Sequence, residues 1–113
     1  NDDLRAKLDA LNNAKNHLFD QYFNQGITLA NQGNYQQAIE QLTRALTLNP
    51  NHADAYIWRN YVYHCLNKYQ QAIDDCNQAI RLNPNDSIAY NNRAFAYNSL
   101  KNYEQAIDDC NQA

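Results

Sequence analysis

The sequence predicts an all-α fold, a right-handed α-solenoid of antiparallel helix-turn-helix repeats. The first observation is an internal repeat, because Leu48-Asn49-Pro50-Asn51 returns 34 positions later as Leu82-Asn83-Pro84-Asn85. The second is that small and aromatic residues recur at the same interval. The third is that the chain has only two Gly and two Pro, unlike a linker-rich or disordered chain. A period of this length indicates units that cannot bury their apolar faces alone and must stack.

The repeat divides the chain into units. A Tyr-x-Gln-Ala-Ile segment occurs three times, at 35–39, 69–73 and 103–107, and the residues at 74–79 return at 108–113. With each Pro at position 32 of its unit, the repeats span 19–52, 53–86 and 87–113. The third is incomplete in its second helix.

Each repeat is predicted to contain two helices, A and B. In the second repeat, apolar and large side chains follow the i, i+3, i+4, i+7 spacing of one helix face: Tyr56, Arg59, Asn60, Tyr63 and Leu66 in helix A, and Ala72, Ile73, Cys76, Ala79 and Ile80 in helix B. The residue before a proline disfavours the α conformation, so helix B must end near Asn83. Small residues at shared positions, such as Ala38, Ala72 and Ala106, allow the two helices to approach closely.

One close-contact position differs among the repeats. Asn60 stands where the other repeats have Gly26 and Ala94. A polar group at a helix contact must find a hydrogen-bond partner, or it costs about 1 to 3 kcal/mol. We therefore expect helices A and B to splay slightly in the middle repeat.

Residues 1–18 lack the repeat pattern but are predicted to be helical. Leu4, Leu8, Leu11 and Leu18 lie on one face, and Asp2 or Asp3 can accept hydrogen bonds from the amides of the first turn. We expect a capping helix that lies against the first repeat. A linker or coiled segment of a parent protein is the alternative.

The 34-residue period, the fixed aromatic and small positions and the closing Pro resemble the tetratricopeptide repeat family. The resemblance covers about five sixths of the chain. It implies a superhelix whose concave surface, lined by the A helices, holds an extended peptide or a partner's helix.

In helix A, the side opposite the hairpin core is apolar and rich in amides instead of charged. The predicted groove residues there are Phe23, Asn24, Asn31, Ile57, Trp58, Tyr61, His64, Asn91, Asn92 and Phe95. The aromatic anchors would be Trp58, Tyr61 and Phe95, and the readers of the peptide backbone Asn24, Asn92 and Asn91. Alternatively, Ile27, Ile57 and Tyr61 are packing contacts between neighbouring A helices.

Co-chaperones within the resembled family bind acidic heat-shock protein tails through a clamp of Lys, Asn, Asn, Lys and Arg. This sequence departs from that pattern, since it has Phe23, Ile27, Trp58, Ile88 and Asn92 at the corresponding positions. The side of helix A opposite the hairpin core carries no Lys or Arg, and Asp20 and Asp54 lie at its edge. The expected partner is a protein or peptide segment that is neutral, apolar or mildly basic.

Catalysis, metal binding and cofactor binding are not predicted. His17, His52, His64, Cys65, Cys76 and Cys110 do not form a C-x-x-C, H-x-x-x-H or H-E-x-x-H motif. Cys76 and Cys110 share one repeat position and are expected to be buried core residues. The acidic pairs 74–75 and 108–109 are expected on a solvated convex face. A phosphate-binding Gly-rich loop is absent from the sequence.

Net charge and composition narrow the remaining classes of function. The net charge of −3 lacks the basic excess that nucleic acid or an anionic membrane requires. Three cysteines and the lack of a long apolar run make a cytoplasmic location the default expectation. We expect a fragment of a longer protein. The alternatives to peptide binding are a spacer, or an assembly module that forms homo-oligomers through its uncapped C-terminal repeat.

Overall fold

The computed structural model describes the backbone of residues 1–112 and the side chains of residues 1–104. This part of the chain folds into helices joined by short turns, which confirms the predicted all-α class. The helices are α1 (Asp2–Asn31), α2 (Tyr35–Leu48), α3 (Ala53–Cys65), α4 (Tyr69–Leu82) and α5 (Ser87–Gln112). They form two compact units, Asn1–Asn51 and His52–Ala113.

The first unit is a hairpin of α1 and α2. The helices pack against each other, and the turn between them places Gly33 at φ +78°, a left-handed conformation that glycine adopts without steric cost. The Asn34 amide closes the turn by donating to the carbonyl of Leu29 at 2.9 Å. The buried core comprises Phe19, Ala30, Ala38, Ile39, Leu42, Ala45 and Leu46.

The second unit is a hairpin of α3 and α4 followed by α5, which packs on α4. Its hairpin turn is equivalent to the first. Asn67 takes the glycine's place with φ 58°, and the Lys68 amide donates to the carbonyl of Tyr63 at 2.9 Å. The buried apolar residues are Ala55, Tyr56, Val62, Ala72, Ile73, Cys76, Ala79, Ala89 and Ala96.

The helix ends at the two prolines agree with the prediction. The residues before proline, Asn49 and Asn83, leave the helical region with φ −139° and −140°, so α2 ends at Leu48 and α4 at Leu82. At the start of α1 the prediction was wrong. The Asn1 side chain, rather than Asp2 or Asp3, accepts the hydrogen bond, from the Asp3 amide at 2.9 Å.

The N-terminal segment is not a separate capping helix. Residues 1–18 continue into helix A of the first repeat as the single 30-residue helix α1, with no turn between them. Every side chain of residues 1–18 is exposed, with Leu4 at 67% and Leu11 at 66%. The leucine face therefore does not lie against the first hairpin as we expected, since nothing in the sequence near residue 18 interrupts the helix.

The third repeat also differs from the expected hairpin. Helices A and B of this repeat run together as α5, without a turn near residue 101. In the other two hairpins, the equivalent turn position holds Gly33 and Asn67, both with positive φ. Lys101 occupies that position in the third repeat. A lysine disfavours positive φ and favours the helix, which explains why α5 continues. The exact repeat boundaries remain a prediction.

The close helix contact is filled differently in each hairpin. A Cβ atom on Gly26 would lie 2.7 Å from Cγ of Leu42. In the second unit, Cys76 stands at the repeat position of Leu42 and Asn60 at that of Gly26. Because cysteine is smaller than leucine, the repeat equivalence predicts room for the larger Asn60 side chain at this contact. The combined volume of the two side chains, rather than the volume of either one, therefore has to fit the space between the helices.

Candidate functional site

In the second unit, predicted groove residues from two helices come together. We call this the groove surface and define it as Trp58, Tyr61 and His64 of α3 with Asn92 and Phe95 of α5. A cavity of about 70 Å³ lies among them, lined by Asn60, Tyr61, His64, Asn92 and Phe95. Two of the aromatic rings are open to solvent, Tyr61 at 47% and Phe95 at 60% exposure. An apolar ligand group could reach both rings.

The aromatic side chains hold one another in place. Trp58 and Tyr61 meet edge to face, with ring centroids 6.2 Å apart. The His64 ring lies between two others, 4.7 Å from the ring of Phe95 and 5.2 Å from that of Tyr69. Such pairs stabilise fixed ring positions, so the groove surface is organised before a ligand arrives.

Two asparagines link the groove surface to the interior. The buried Asn60 side chain donates to the carbonyl of Ala72 on α4 at 2.9 Å, which gives this polar group the hydrogen-bond partner that its burial requires. The Asn92 amide donates to Oδ1 of Asn60 at 3.2 Å. This bond orients Asn92, and an amide has hydrogen-bonding capacity beyond one bond. The Asn60–Asn92 link was not predicted, although both positions were singled out from the sequence.

An ion pair lies within the same hairpin. The Arg59 guanidinium donates Nε and Nη2 to the two carboxylate oxygens of Asp75, at 2.8 and 2.7 Å. Its carbon Cζ also lies 5.7 Å from the ring centroids of both Tyr56 and Tyr63. A bidentate pair flanked by aromatic rings fixes the orientation of helix A against helix B.

The buried location of Asp75 corrects a prediction. We expected Asp74 and Asp75 together on a solvated face, but only Asp74 is exposed, while Asp75 is 3% exposed. Arg59 and Asp75 share a helix-packing face, and their spacing could have revealed the pair. Burial raises the pKa of Asp75, and the hydrogen bond and charge of Arg59 oppose this rise. The side chains of the second acidic pair, residues 108–109, lie outside the described residues.

Burial would lower the pKa of Arg59, but the hydrogen bond and charge of Asp75 raise it above the ordinary value. At the edge of the groove surface, hydrogen bonding with Cys65 raises the pKa of Tyr61. Both groups therefore keep their protons at neutral pH. The groove surface presents a neutral phenol to a ligand, and the nearby guanidinium is neutralised by its partner.

The other predicted groove residues have different surroundings. In the second unit, Ile57 is half-buried and Asn91 is exposed on α5. In the first unit, the ring of Phe23 packs 5.6 Å from that of Phe19, and Asn24 and Asn31 are exposed. Their role in binding stays a prediction.

The first unit contains a larger cavity that the sequence did not predict. Its volume is about 570 Å³, and it is lined by Leu18, Gln21, Tyr22, Asn24, Gln25, Thr28, Leu29 and Gln41. The buried Oε1 of Gln41 has no hydrogen-bond partner. The α1 positions of Gln21 and Thr28 correspond in α5 to Ala89 and Ala96, which are fully buried in the second unit. By this equivalence, the cavity lies on the face of α1 that would pack against a neighbouring repeat. We therefore interpret it as a stacking face rather than as a small-molecule site.

The cysteine and histidine residues do not assemble a metal site within the described part of the chain. Cys76 is fully buried, as predicted, and burial raises the pKa of its thiol to about 11. A buried thiol of this kind is a poor nucleophile and metal ligand. The side chain of Cys110 lies outside the described residues.

Comparison with family models shows the family of this chain. Tetratricopeptide repeat models match residues 23–86 and 76–108. The chain therefore belongs to the tetratricopeptide repeat family, whose domains are typically interaction modules without catalytic activity. No match was found among curated proteins. Among the described residues, no helix is long and apolar enough to cross a membrane.

Solved structures extend the likeness. The first tetratricopeptide domain of Spaghetti (RPAP3), bound to the HSP90 peptide SRMEEVD, is 29% identical; the match covers 82% of this chain and 74% of that one, with a TM-score of 0.73. The second domain of human RPAP3, in complex with the HSP70 peptide SGPTIEEVD, is 28% identical over 84% and 79%, with a TM-score of 0.74. MamA is 28% identical with a TM-score of 0.72; the match covers 80% of this chain but only 49% of MamA.

Proposed function

We propose that this chain is a protein interaction module that binds an extended peptide or a partner helix on the groove surface. The observation that carries the proposal is the pair of exposed rings, Tyr61 and Phe95, which line one cavity together with Asn92. Aromatic rings give a large contact area at low entropic cost, and clustered aromatic residues commonly dominate binding energy. Trp58 and Tyr61 supply apolar anchors, and Asn92 pairs with the peptide backbone.

The proposed ligand differs from those of the similar structures. The RPAP3 domains hold peptides ending in the acidic sequence EEVD. A carboxylate-rich tail requires cations, but the groove surface consists of uncharged aromatic and amide side chains with one histidine. The nearby Arg59 is already paired with Asp75. We therefore propose a neutral, apolar or mildly basic segment.

The single Trp of the chain provides the assay, because Trp58 belongs to the groove surface. Arrays of short peptides are screened first, and those that bind are titrated while Trp58 fluorescence is recorded. We expect apolar, neutral peptides to shift the emission and an EEVD peptide to leave it unchanged. Phe95→Ala should weaken binding by roughly tenfold or more, the loss of one interface anchor. Leu8→Ala is the matched control, since Leu8 is a 55% exposed apolar residue of the other unit.

Equal weakening by Phe95→Ala and Leu8→Ala would contradict the assigned surface. Tight binding of EEVD peptides in preference to neutral ones would contradict the proposed ligand class while leaving peptide binding itself intact.

A further inference from the structure

A largely apolar stripe runs along α1 from its exposed N-terminal half into the cavity of the first unit. We call it the α1 stripe and define it as residues 4, 8, 11, 15, 18, 22, 25 and 29, which alternate in spacing by four and three. This spacing keeps all of them on one side of the helix. In the N-terminal half, Leu4, Leu8 and Leu11 are 67%, 55% and 66% exposed. In the C-terminal half, the stripe residues Leu18, Tyr22, Gln25 and Leu29 line the cavity.

The cavity lies on a face that is covered in the other unit. In α5, the equivalent face packs on α4, and Ala89 and Ala96 are fully buried there. The corresponding residues of α1, Gln21 and Thr28, are exposed. Among the described residues, the buried Oε1 of Gln41 on α2 has no hydrogen-bond partner. A helix that covers this cavity therefore needs apolar side chains together with an N–H donor.

We propose that two copies of this chain pair through α1 in antiparallel orientation, so that the N-terminal half of each helix fills the cavity of the other. The α1 stripe aligns with itself when the two-fold axis lies between residues 16 and 17. The resulting pairs are Leu4 with Leu29, Leu8 with Gln25, Leu11 with Tyr22 and Lys15 with Leu18. Each pair occurs twice about the axis, as a self-complementary interface requires.

The two halves of the stripe match in length. From residue 4 to 15 and from residue 18 to 29, α1 rises by the same distance, about 16 Å. Both halves belong to one uninterrupted helix, Asp2–Asn31. A second copy therefore covers the whole cavity with its N-terminal half and has its own cavity covered at the same time.

The polar side chains of α1 favour the antiparallel orientation. Arg5 and Asn12 lie about one turn on either side of Leu8, on the flank that faces α2 of the other copy, and their N–H groups can donate to Oε1 of Gln41. Lys15 covers Leu18 with its methylene groups while its ammonium group stays in water. A parallel pair would instead bring the two Lys15 side chains together and leave both cavities open.

Sedimentation of the full chain from roughly 10 μM to roughly 1 mM tests the pairing. Because each half of the interface spans only about two heptads, we expect a dimer with a Kd of roughly 0.1 mM. Leu8→Glu should weaken it by about tenfold or more, since it places a carboxylate in the apolar contact. Asn13→Glu is the matched control, because it adds the same charge on the opposite face of α1 and should dimerise like the wild type.

A wild-type chain that stays monomeric at the highest concentration overturns the proposal. Equal dimerisation by Leu8→Glu and Asn13→Glu overturns it as well. Circular dichroism checks that both variants keep their helices. Peptide titrations use dilute protein in which α1 is unpaired, so dimerisation and peptide binding are tested independently.

A second substitution in the same chain tests the register. Gln25→Lys places a cation opposite residue 8 of the second copy, and a basic residue suits this position because Arg59 and Arg93 occupy it in the other repeats. The double variant Leu8→Glu with Gln25→Lys should dimerise about fivefold or more tightly than Leu8→Glu alone. Residues 8 and 25 are about 25 Å apart along α1 and cannot pair within one copy. A folded double variant that dimerises no better than Leu8→Glu rules out the antiparallel register.

Discussion

At the scale of single residues, the hairpins depend on matched side-chain volumes. Gly26 is needed because Leu42 fills the contact, and the nearest Leu42 atoms would lie 2.7 and 2.8 Å from an added Cβ. Asn60 is tolerated at the equivalent position because Cys76 is smaller and because its amide finds a carbonyl at 2.9 Å. The same position therefore has opposite requirements in the two hairpins.

Gly26→Ala should lower the free energy of unfolding by about 1 to 3 kcal/mol, since Leu42 must move to admit the methyl group. Urea unfolding followed by circular dichroism measures the change. The double variant Gly26→Ala with Leu42→Val should lose less stability than the sum of the two single changes, because the smaller side chain relieves the clash. Strict additivity would mean that the two residues do not compete for space.

Asp75→Asn should lower the free energy of unfolding by about 3 kcal/mol. The substitution leaves the Arg59 guanidinium without its carboxylate in a site where that side chain is only 18% exposed. Asp74→Asn is the control on the preceding, exposed residue and should change stability by less than about 0.5 kcal/mol. Equal effects of the two substitutions in urea unfolding would show that the buried pair contributes nothing specific.

At the scale of helices, the prolines and the turn residues decide where each element ends. Both Asn-Pro steps end a helix, and both hairpin turns use a residue that tolerates positive φ. Where neither signal is present, as near residue 18 and at Lys101, the helix continues. The repeat period alone suggested a boundary at both places, and local backbone preference overruled it.

Removing residues 2–16 should shorten α1 without unfolding the first unit. All these side chains are exposed, so the deletion removes helix that packs on nothing in the described structure. We expect the circular dichroism signal to fall in proportion to the lost residues. The free energy of unfolding should change by less than about 1 kcal/mol. A larger loss would show that the leucine face is covered in solution.

At the scale of the whole molecule, the uncharged groove surface has a measurable electrostatic consequence. The chain carries a net charge of −3, yet its proposed binding residues hold no fixed charge. The affinity for a neutral peptide should therefore change less than about twofold between low and high salt, since only charged contacts are strongly screened. The Trp58 titration at two ionic strengths measures this. A steep loss of affinity with salt would point to charged contacts elsewhere.

The fold class and family followed from the sequence because a 34-residue period is a global signal that many positions share. The positions of Trp58, Tyr61, His64, Asn92 and Phe95 on one surface also followed, since helical geometry assigns faces. The Asn60–Asn92 bond and the burial of Asp75 did not. The first depends on which polar groups of α3 and α5 meet, and the second on which acidic residue of α4 meets Arg59 of α3. The face pattern of a single helix does not determine either contact.

The matched pairs Gly26 with Leu42 and Asn60 with Cys76 bear on how such a chain can evolve. Repeats of equal length invite recombination, which would join a helix A from one hairpin to a helix B from another. Joining α3 to α2 would set Asn60 against Leu42, an overfilled contact, and joining α1 to α4 would set Gly26 against Cys76, an empty one. The matched side-chain volumes therefore disfavour hairpins recombined from different repeats, although the equal repeat length would permit them.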